Sequence, residues 1–185
     1  MFFGSGSLHP QERATKRMKI RPLSAPTDTS QFREIRIESA REAPESFRAT
    51  EEEMRSKSIE EFECQLTARD GGALFVGAFK GSSLVGVAAL FFESSQKLSH
   101  KATVGSVFVN PTHRKNGIGR ALVSELLSIA REDKKLLQLN LAVNTTNTTA
   151  VELYKSLGFA IFGTEPNAVV FDGESHDEHH MQCVL

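Results

Sequence analysis

The residues best suited to chemistry form a basic, glycine-bearing run, Arg114-Lys115-Asn116-Gly117-Ile118-Gly119-Arg120. Glycine backbones turn freely, so that several N–H groups can point at one place. A helix predicted to start at Gly117 adds the unpaired donors of its first turn and the positive end of its dipole. Arg114, Lys115 and Arg120 bring side-chain charge to the same spot. That chemistry suits a phosphate or pyrophosphate. The run follows Val107-Phe108-Val109-Asn110-Pro111, which reads as a β-branched strand stopped by proline.

Two common phosphate loops are excluded. The chain has neither Gly-x-x-x-x-Gly-Lys-Ser/Thr nor Gly-x-Gly-x-x-Gly. What stands here is Arg-x-x-Gly-x-Gly, which resembles the acetyl-CoA pyrophosphate loop of the GNAT superfamily of N-acetyltransferases. A second segment, Asn147-Thr-Thr-Ala150-Val-Glu-Leu-Tyr154-Lys-Ser-Leu-Gly158-Phe159, resembles the later signature of that superfamily. It reads as an asparagine-capped helix, a glycine past the last turn and an aromatic opening the next strand. One helix and one strand fit between the two motifs. The resemblance runs from Met18 to the C-terminus and is sharpest over residues 104–160.

The resemblance implies an α/β (α+β) fold: a mixed, mostly antiparallel sheet of about seven strands with helices on both faces. Its fourth and fifth strands run parallel and splay to admit acetyl-CoA as co-substrate. The pantetheine arm would lie along Val107, Phe108 and Val109, held mainly by main chain. The pyrophosphate would take N–H groups of Lys115, Asn116, Gly117, Ile118, Gly119 and Arg120, with Arg114 beside it. Tyr154, the chain's single tyrosine, aligns with the general acid; the other reading is a core aromatic. Asn147 either touches the pantetheine or only caps its helix. Some members carry a glutamate base within the fourth strand, but the matching positions here are Thr103, Val104 and Gly105. Glu93, His100 or a backbone-and-water chain are the substitutes, Glu93 being favoured over the others.

The implied reaction is direct attack of a primary amine, small molecule or peptide, on the thioester in a ternary complex. The alternative is a catalytically weak acyl-CoA-binding sensor or partner-binding module on the same fold. The acceptor side would hold Phe47, Arg48, Glu51, Glu52, Glu53, the Ser94–His100 link and the region of Asn167. Pairing of family members through their C-terminal strands implies a homodimer.

The elements that must position these residues follow from periodicity. Met18–Leu23 suits a strand, and Pro26-Thr27-Asp28 opens a helix carrying Phe32, Ile35, Ile37 and Ala40. Ala43-Pro44 breaks that helix. Glu51–Glu53 opens a short helical segment, and Ser58-Ile-Glu-Glu61 reads as a capping box for a helix ended by Asp70-Gly71-Gly72. Ala73–Lys80, Leu84–Glu93 and Lys101–Val109 are predicted strands, the first two joined by a Gly81-Ser82-Ser83 hairpin. A helix over 117–132 places Ile118, Leu122, Leu126 and Ile129 on one stripe. Then come a strand over 136–143, a helix over 147–157, and strands over 159–162, 168–171 and 178–185, the last two joined through Asp172-Gly173.

Composition agrees with a single folded unit over 18–185. The 22 basic and 23 acidic residues nearly cancel, which gives no ground for nucleic-acid or membrane-surface binding. No apolar run reaches membrane-spanning length. Cys64 and Cys183 lack metal-ligand spacing, and reduced thiols in a cytoplasmic protein are expected. His176-Asp-Glu-His179-His180 looks like a metal tract, but alternation along a strand would turn His179 and His180 apart, so no metal is expected. Residues 1–17 lack a signal-like apolar stretch and read as a mobile extension or an expression remnant.

Overall fold

The computed structural model describes residues 18–67 and 72–185. Seven strands form one sheet: β1 Met18–Pro22, β2 Ala73–Lys80, β3 Ser83–Phe92, β4 Lys101–Val109, β5 Gln138–Asn144, β6 Ala160–Phe171 and β7 Glu174–Val184. Their spatial order is β1-β2-β3-β4-β5-β7-β6. Every neighbouring pair is antiparallel except β4 and β5, which run parallel.

The helices are α1 Thr29–Glu42, α2 Glu51–Ser56, α3 Ile59–Thr67, α4 Ile118–Glu132 and α5 Thr148–Ser156. They cover opposite faces. Phe32, Ile35 and Ile37 of α1, Met54 of α2 and Phe62 of α3 pack with Phe75, Phe79, Val87 and Ala89 on one face. Leu122, Val123, Leu126 and Leu127 of α4, with Val151 and Tyr154 of α5, pack with Val104, Leu139, Leu141 and Met181 on the other. Leu122 and Leu126 are fully buried, each contributing about 1.5–3 kcal/mol of apolar burial. The buried stripe of α4 is wider than a single heptad seam. It takes in Val123, Leu127 and Ala130, while Ile129 is only partly buried, because α4 lies across several strands.

Local chemistry explains most boundaries. The Ser58 hydroxyl accepts from the Glu61 N–H at 3.3 Å and Glu61 accepts from the Ser58 N–H at 2.8 Å, the expected capping box. Thr50 and Glu53 form a second one at α2. The β2–β3 hairpin turns on Gly81 and Ser82, with Lys80 opposite Ser83. The expected helix stop at Asp70-Gly71 lies outside the described residues, as does the segment 1–17.

Several boundaries differ from those read off the sequence. The first helix starts at Thr29 with Asp28 as its N-cap residue, whose carboxylate accepts from Arg21 at 2.6 and 2.7 Å and from the Ser24 N–H at 2.9 Å rather than from the helix. Leu136 and Leu137 precede β5. The pieces expected over 159–162 and 168–171 are one strand, β6, which stays paired to β7 by register shifts between Ile161 and Gly163 and between Glu165 and Val169. Such bulges absorb extra residues and hide the period-2 pattern. For the same reason β7 starts at Glu174 rather than Glu178.

Candidate active site

The centre of the site is a change of phase in β4. Ala102 and Val104 face the α4 side, so Phe108 should follow them. It faces the α1 side instead, and Val107 and Val109 take the α4 side. The cause is a bulge: Ala89 lies opposite Gly105 and Val87 opposite Phe108, so two residues of β4 oppose Ala88 alone. Ser106 takes up the insertion with a φ of 52°. From there β4 bends away from β5. The parallel ladder holds only for Lys101, Ala102 and Thr103 against Gln138, Leu139 and Asn140. Among the described residues the β5-facing edge of β4 has no strand partner beyond Thr103, which leaves a cleft between parted strands.

The anion turn stands at the end of that edge. Asn110 and Pro111 close β4, and a 3₁₀ turn over Pro111–His113 leads to Arg114. The Arg114 Nε–H donates to the Val109 carbonyl at 3.0 Å and its guanidinium lies 5.8 Å from the Phe108 ring. The Asn116 amide donates to the carbonyls of His113 and Arg114, both at 3.1 Å. Lys115 and Gly117 are left-handed, at φ 62° and 75°, an alternation that turns successive N–H groups to one side. No side chain caps α4, whose N-cap is Gly117. The N–H groups of Ile118, Gly119 and Arg120 therefore have no acceptor within the helix.

A Cβ at Gly117 would meet nothing within 4 Å, and one at Gly119 would make only ordinary contacts, at 3.5 Å to Leu153 and 3.9 Å to Val109. Packing within the protein does not demand glycine at 119. The left-handed φ favours it at 117, by about 1–2 kcal/mol. Ile118 is buried in the core, so only its N–H is available to a ligand.

Helix α5 is held against this turn by Leu153 at Gly119 and by Arg120, which donates to the Ser156 hydroxyl at 2.6 Å. It carries Tyr154, whose ring packs edge-on to Phe159 at 5.9 Å and is 7 % exposed. Burial disfavours the phenolate and pushes its pKa up to about 12. Tyr154 thus remains a proton-bearing donor at all ordinary pH. Asn147 caps α5, its Oδ1 accepting from the Ala150 N–H at 3.2 Å.

The α1 face of the cleft is lined differently. Phe47 packs edge-on to Phe108 at 6.1 Å, and the Phe91 ring lies where a Cβ at Gly105 would come within 2.9 Å of it. Of the three glutamates opening α2, Glu51 pairs with Arg55 at 2.6 Å and Glu53 serves the Thr50 capping box, which leaves Glu52. Arg48, Glu53, Lys57 and Glu61 line a groove of about 480 Å³ between α2 and α3. The Ser94–His100 link contains a 3₁₀ turn over Gln96–Leu98 and lies at the opposite end of β4 from the anion turn.

Glu93 lies at that far end too. The last β3–β4 pair is Phe92 with Ala102, so Glu93 stands about 13 Å along the sheet from Gly105. The structure does not bring it to the parted edges. The outer strand pair holds a contact that residue spacing does not give. His180 Nε2 and Glu165 Oε2 lie 2.9 Å apart, and Glu178 is buried at 8 % exposure. Register gives the signal: His179 pairs with Val143 on the α4 side, and His180 pairs with Ala142 on the α1 side. No cluster with metal-ligand geometry occurs among the described residues. Cys64 is exposed, Cys183 is buried, and both are free. No described helix is long and apolar enough to cross a membrane.

Comparison with known proteins adds to this geometry. Residues 32–159 match the model of the acetyltransferase (GNAT) family. The N-alpha-acetyltransferase RimI of Mycobacterium tuberculosis is 36 % identical over 89 residues, covering 48 % of this chain and 53 % of that one. The thialysine N-epsilon-acetyltransferase of Sus scrofa is 34 % identical over 82 residues, 44 % of this chain and 48 % of that one. The chain spans about half the length of these two relatives and 24 % of a third, an uncharacterised Mycobacterium leprae protein. Among solved structures, yncA of Salmonella typhimurium, determined with its cofactor acetyl-CoA, superposes with a TM-score of 0.79 at 23 % identity over 92 % of this chain and 95 % of that one. The ribosomal-protein-alanine N-acetyltransferase of Brucella melitensis does so at 0.76 and 26 % identity over 90 % and 99 %. The parted parallel strands, the donor-lined turn and the family match agree: this chain belongs to the acetyltransferase (GNAT) family.

Proposed function

We propose that the protein transfers the acetyl group of acetyl-CoA to a primary amine, on a small molecule or a peptide, within a ternary complex. The observation that carries this reading is the unpartnered edge of β4 leading straight into a turn whose N–H groups are unused. An extended pantetheine can add to that edge as a strand would, on the main chain of Val107, Phe108 and Val109. The pyrophosphate then sits on the N–H groups of residues 115–120, with Arg114, Lys115 and Arg120 opposing its charge. The open space at the Gly117 Cα fits a phosphate oxygen in close approach. The unused amide hydrogens of Asn147 are available to the pantetheine.

In the reaction the amine nitrogen attacks the thioester carbon, the carbon–sulfur bond breaks and CoA leaves as thiolate. A free thiol has a pKa of about 8.5, whereas Tyr154 is pushed up to about 12. Complete proton transfer from Tyr154 to the thiolate would run uphill by roughly 5 kcal/mol. Its role is a hydrogen bond to the departing sulfur, strongest when negative charge has developed there.

The free thiols fit a reducing, cytoplasmic setting. The edge strand β6, which exposes Phe162, Val170 and Phe171, fits pairing of two copies. The test is turnover on amines of the kinds that relatives are named for: thialysine, L-methionine sulfoximine and an alanine-initiated peptide. Acetylated product by mass spectrometry supports the reading. Tight acetyl-CoA binding with no product from any of them would instead favour an acyl-CoA-binding module.

A further inference from the structure

We propose that His180, oriented by Glu165, takes the proton from the attacking amine. This rests on the acetyltransferase reading and supplies the base that β4 lacks. The need is large. An aliphatic amine with a pKa of about 10.4 is almost wholly protonated at neutral pH, and only its free form is nucleophilic. Thr103, Val104 and Gly105 cannot take that proton, and Glu93 is displaced along the sheet.

The placement of His180 follows from register. Met181 and Cys183 are buried on the α4 side, so Glu178, His180 and Gln182 point to the α1 side. His180 lies opposite Ala142 of β5 and opposite Gly163 of β6. Ala142 is two residues beyond Asn140, the last β5 residue paired to β4, so it forms the β5 wall of the cleft. His180 is therefore one strand spacing, about 4.8 Å, from that wall, within reach of an amine directly or through one water. The imidazole is held from two sides, by Glu165 at 2.9 Å and by the Phe162 ring at 6.0 Å. Its side chain remains 33 % exposed and open to a substrate.

The carboxylate decides which nitrogen is the base. Glu165 accepts from Nε2–H, which leaves the Nδ1 lone pair free. The ammonium gives one proton to Nδ1 and the freed amine attacks the thioester carbon. The carbon–sulfur bond breaks, CoA departs as thiolate, the second proton of the nitrogen passes to solvent as the neutral amide forms, and the imidazolium returns its proton to solvent. Glu165 on β6 and Glu178 on β7 share the His180 face, and the 3₁₀ turn Pro44–Ser46, which carries Glu45, packs on β5 and β6. On this face β5 offers Gln138, Asn140, Ala142 and Asn144, none of them ionisable. The buried Glu178 adds attraction for a cationic acceptor. Glu165 is a positioning residue; His180 alone touches the proton.

The experiment compares the wild type with His180→Gln and Glu165→Gln on the best amine of the panel above, with acetyl-CoA affinity measured alongside. With His180→Gln, kcat/KM at pH 7 should fall about 100- to 1,000-fold. It should recover roughly tenfold per pH unit toward the amine pKa, because the variant can use only free amine. Acetyl-CoA affinity should stay within about twofold. Glu165→Gln should give a smaller loss in kcat at unchanged acetyl-CoA affinity, because the imidazole is then less firmly oriented. A His180→Gln profile parallel to that of the wild type, or a loss confined to acetyl-CoA affinity or melting temperature, would overturn the assignment while leaving the acetyltransferase reading intact. Absence of transfer by the wild type to every amine would remove both.

Discussion

The Asn110 side-chain amide donates to Glu38 Oε1 at 2.6 Å, tying helix α1 to the end of β4 where the anion turn begins. The same side chain accepts, through Oδ1, from the Thr112 N–H at 3.0 Å and the Thr112 hydroxyl at 2.6 Å. One residue thus fixes both the distance between the two layers and the first bend toward Arg114. Asn110→Ala removes a charge-assisted hydrogen bond and a turn cap together. The expected loss is about 1–2 kcal/mol, or a few degrees in Tm. Acetyl-CoA should also bind several-fold more weakly by calorimetry; unchanged stability and affinity would show that the link is incidental.

Tyr154→Phe should lower kcat about 10- to 100-fold and leave acetyl-CoA affinity within about twofold, because only the hydrogen bond to the leaving sulfur is lost. Burial keeps the hydroxyl protonated up to a pKa of about 12. The wild-type rate should therefore show no basic limb from this residue below about pH 10. Equal turnover by the two proteins at saturating substrate would place Tyr154 in the core alone.

Asp28 gives the fold a definite acid sensitivity. It is 2 % exposed, and the Arg21 guanidinium, which donates two hydrogen bonds to it, holds its carboxyl below the usual value of 3.8, helped by the Ser24 N–H. A carboxyl depressed in the folded state contributes stability that is present above its unfolded pKa and lost as pH falls through the folded one. The wild type should lose stability below about pH 4, whereas Asp28→Asn should start about 2–3 kcal/mol lower and lose less over that range. Urea unfolding at pH 7 and pH 3 reads both effects.

Self-association can be tested at the outer edge. Val170 is 67 % exposed on β6, the last strand of the sheet. If two copies pair there, light scattering gives a dimer mass for the wild type and a monomer mass for Val170→Lys, since edge lysines oppose strand pairing. A wild-type monomer at micromolar concentration would count against pairing.

The fold was legible in the sequence wherever side-chain period and backbone agree. Leu122 and Leu126 announce α4, and the β2–β3 hairpin is marked by Gly81. The anion turn was legible because its glycines and cations are contiguous. Bulges defeated the rest. The phase change at Ser106, which creates the cleft, has no residue-type signature, and the register shifts in β6 disguised one strand as two. His180 and Glu165 are fifteen residues apart and meet only through that register. Residue spacing in this tract shows only the alternation of a strand. Glu93 was attractive as a strand-end carboxylate, but only the β3–β4 pairing reveals how far along the sheet it lies.

On the proposed reading, the turn at Gly117 holds the pyrophosphate of acetyl-CoA. The direct test is calorimetric titration of acetyl-CoA into the wild type and into Gly117→Glu. A Cβ there meets no protein atom, and the left-handed φ adds strain of only about 1–2 kcal/mol, so the variant should remain folded. The added carboxylate would point at the phosphates. The account predicts wild-type binding with Kd on the order of micromolar, weakened at least about 100-fold in the folded variant. No binding by the wild type, or equal binding by the variant, would contradict it and leave the turn as no more than the start of α4.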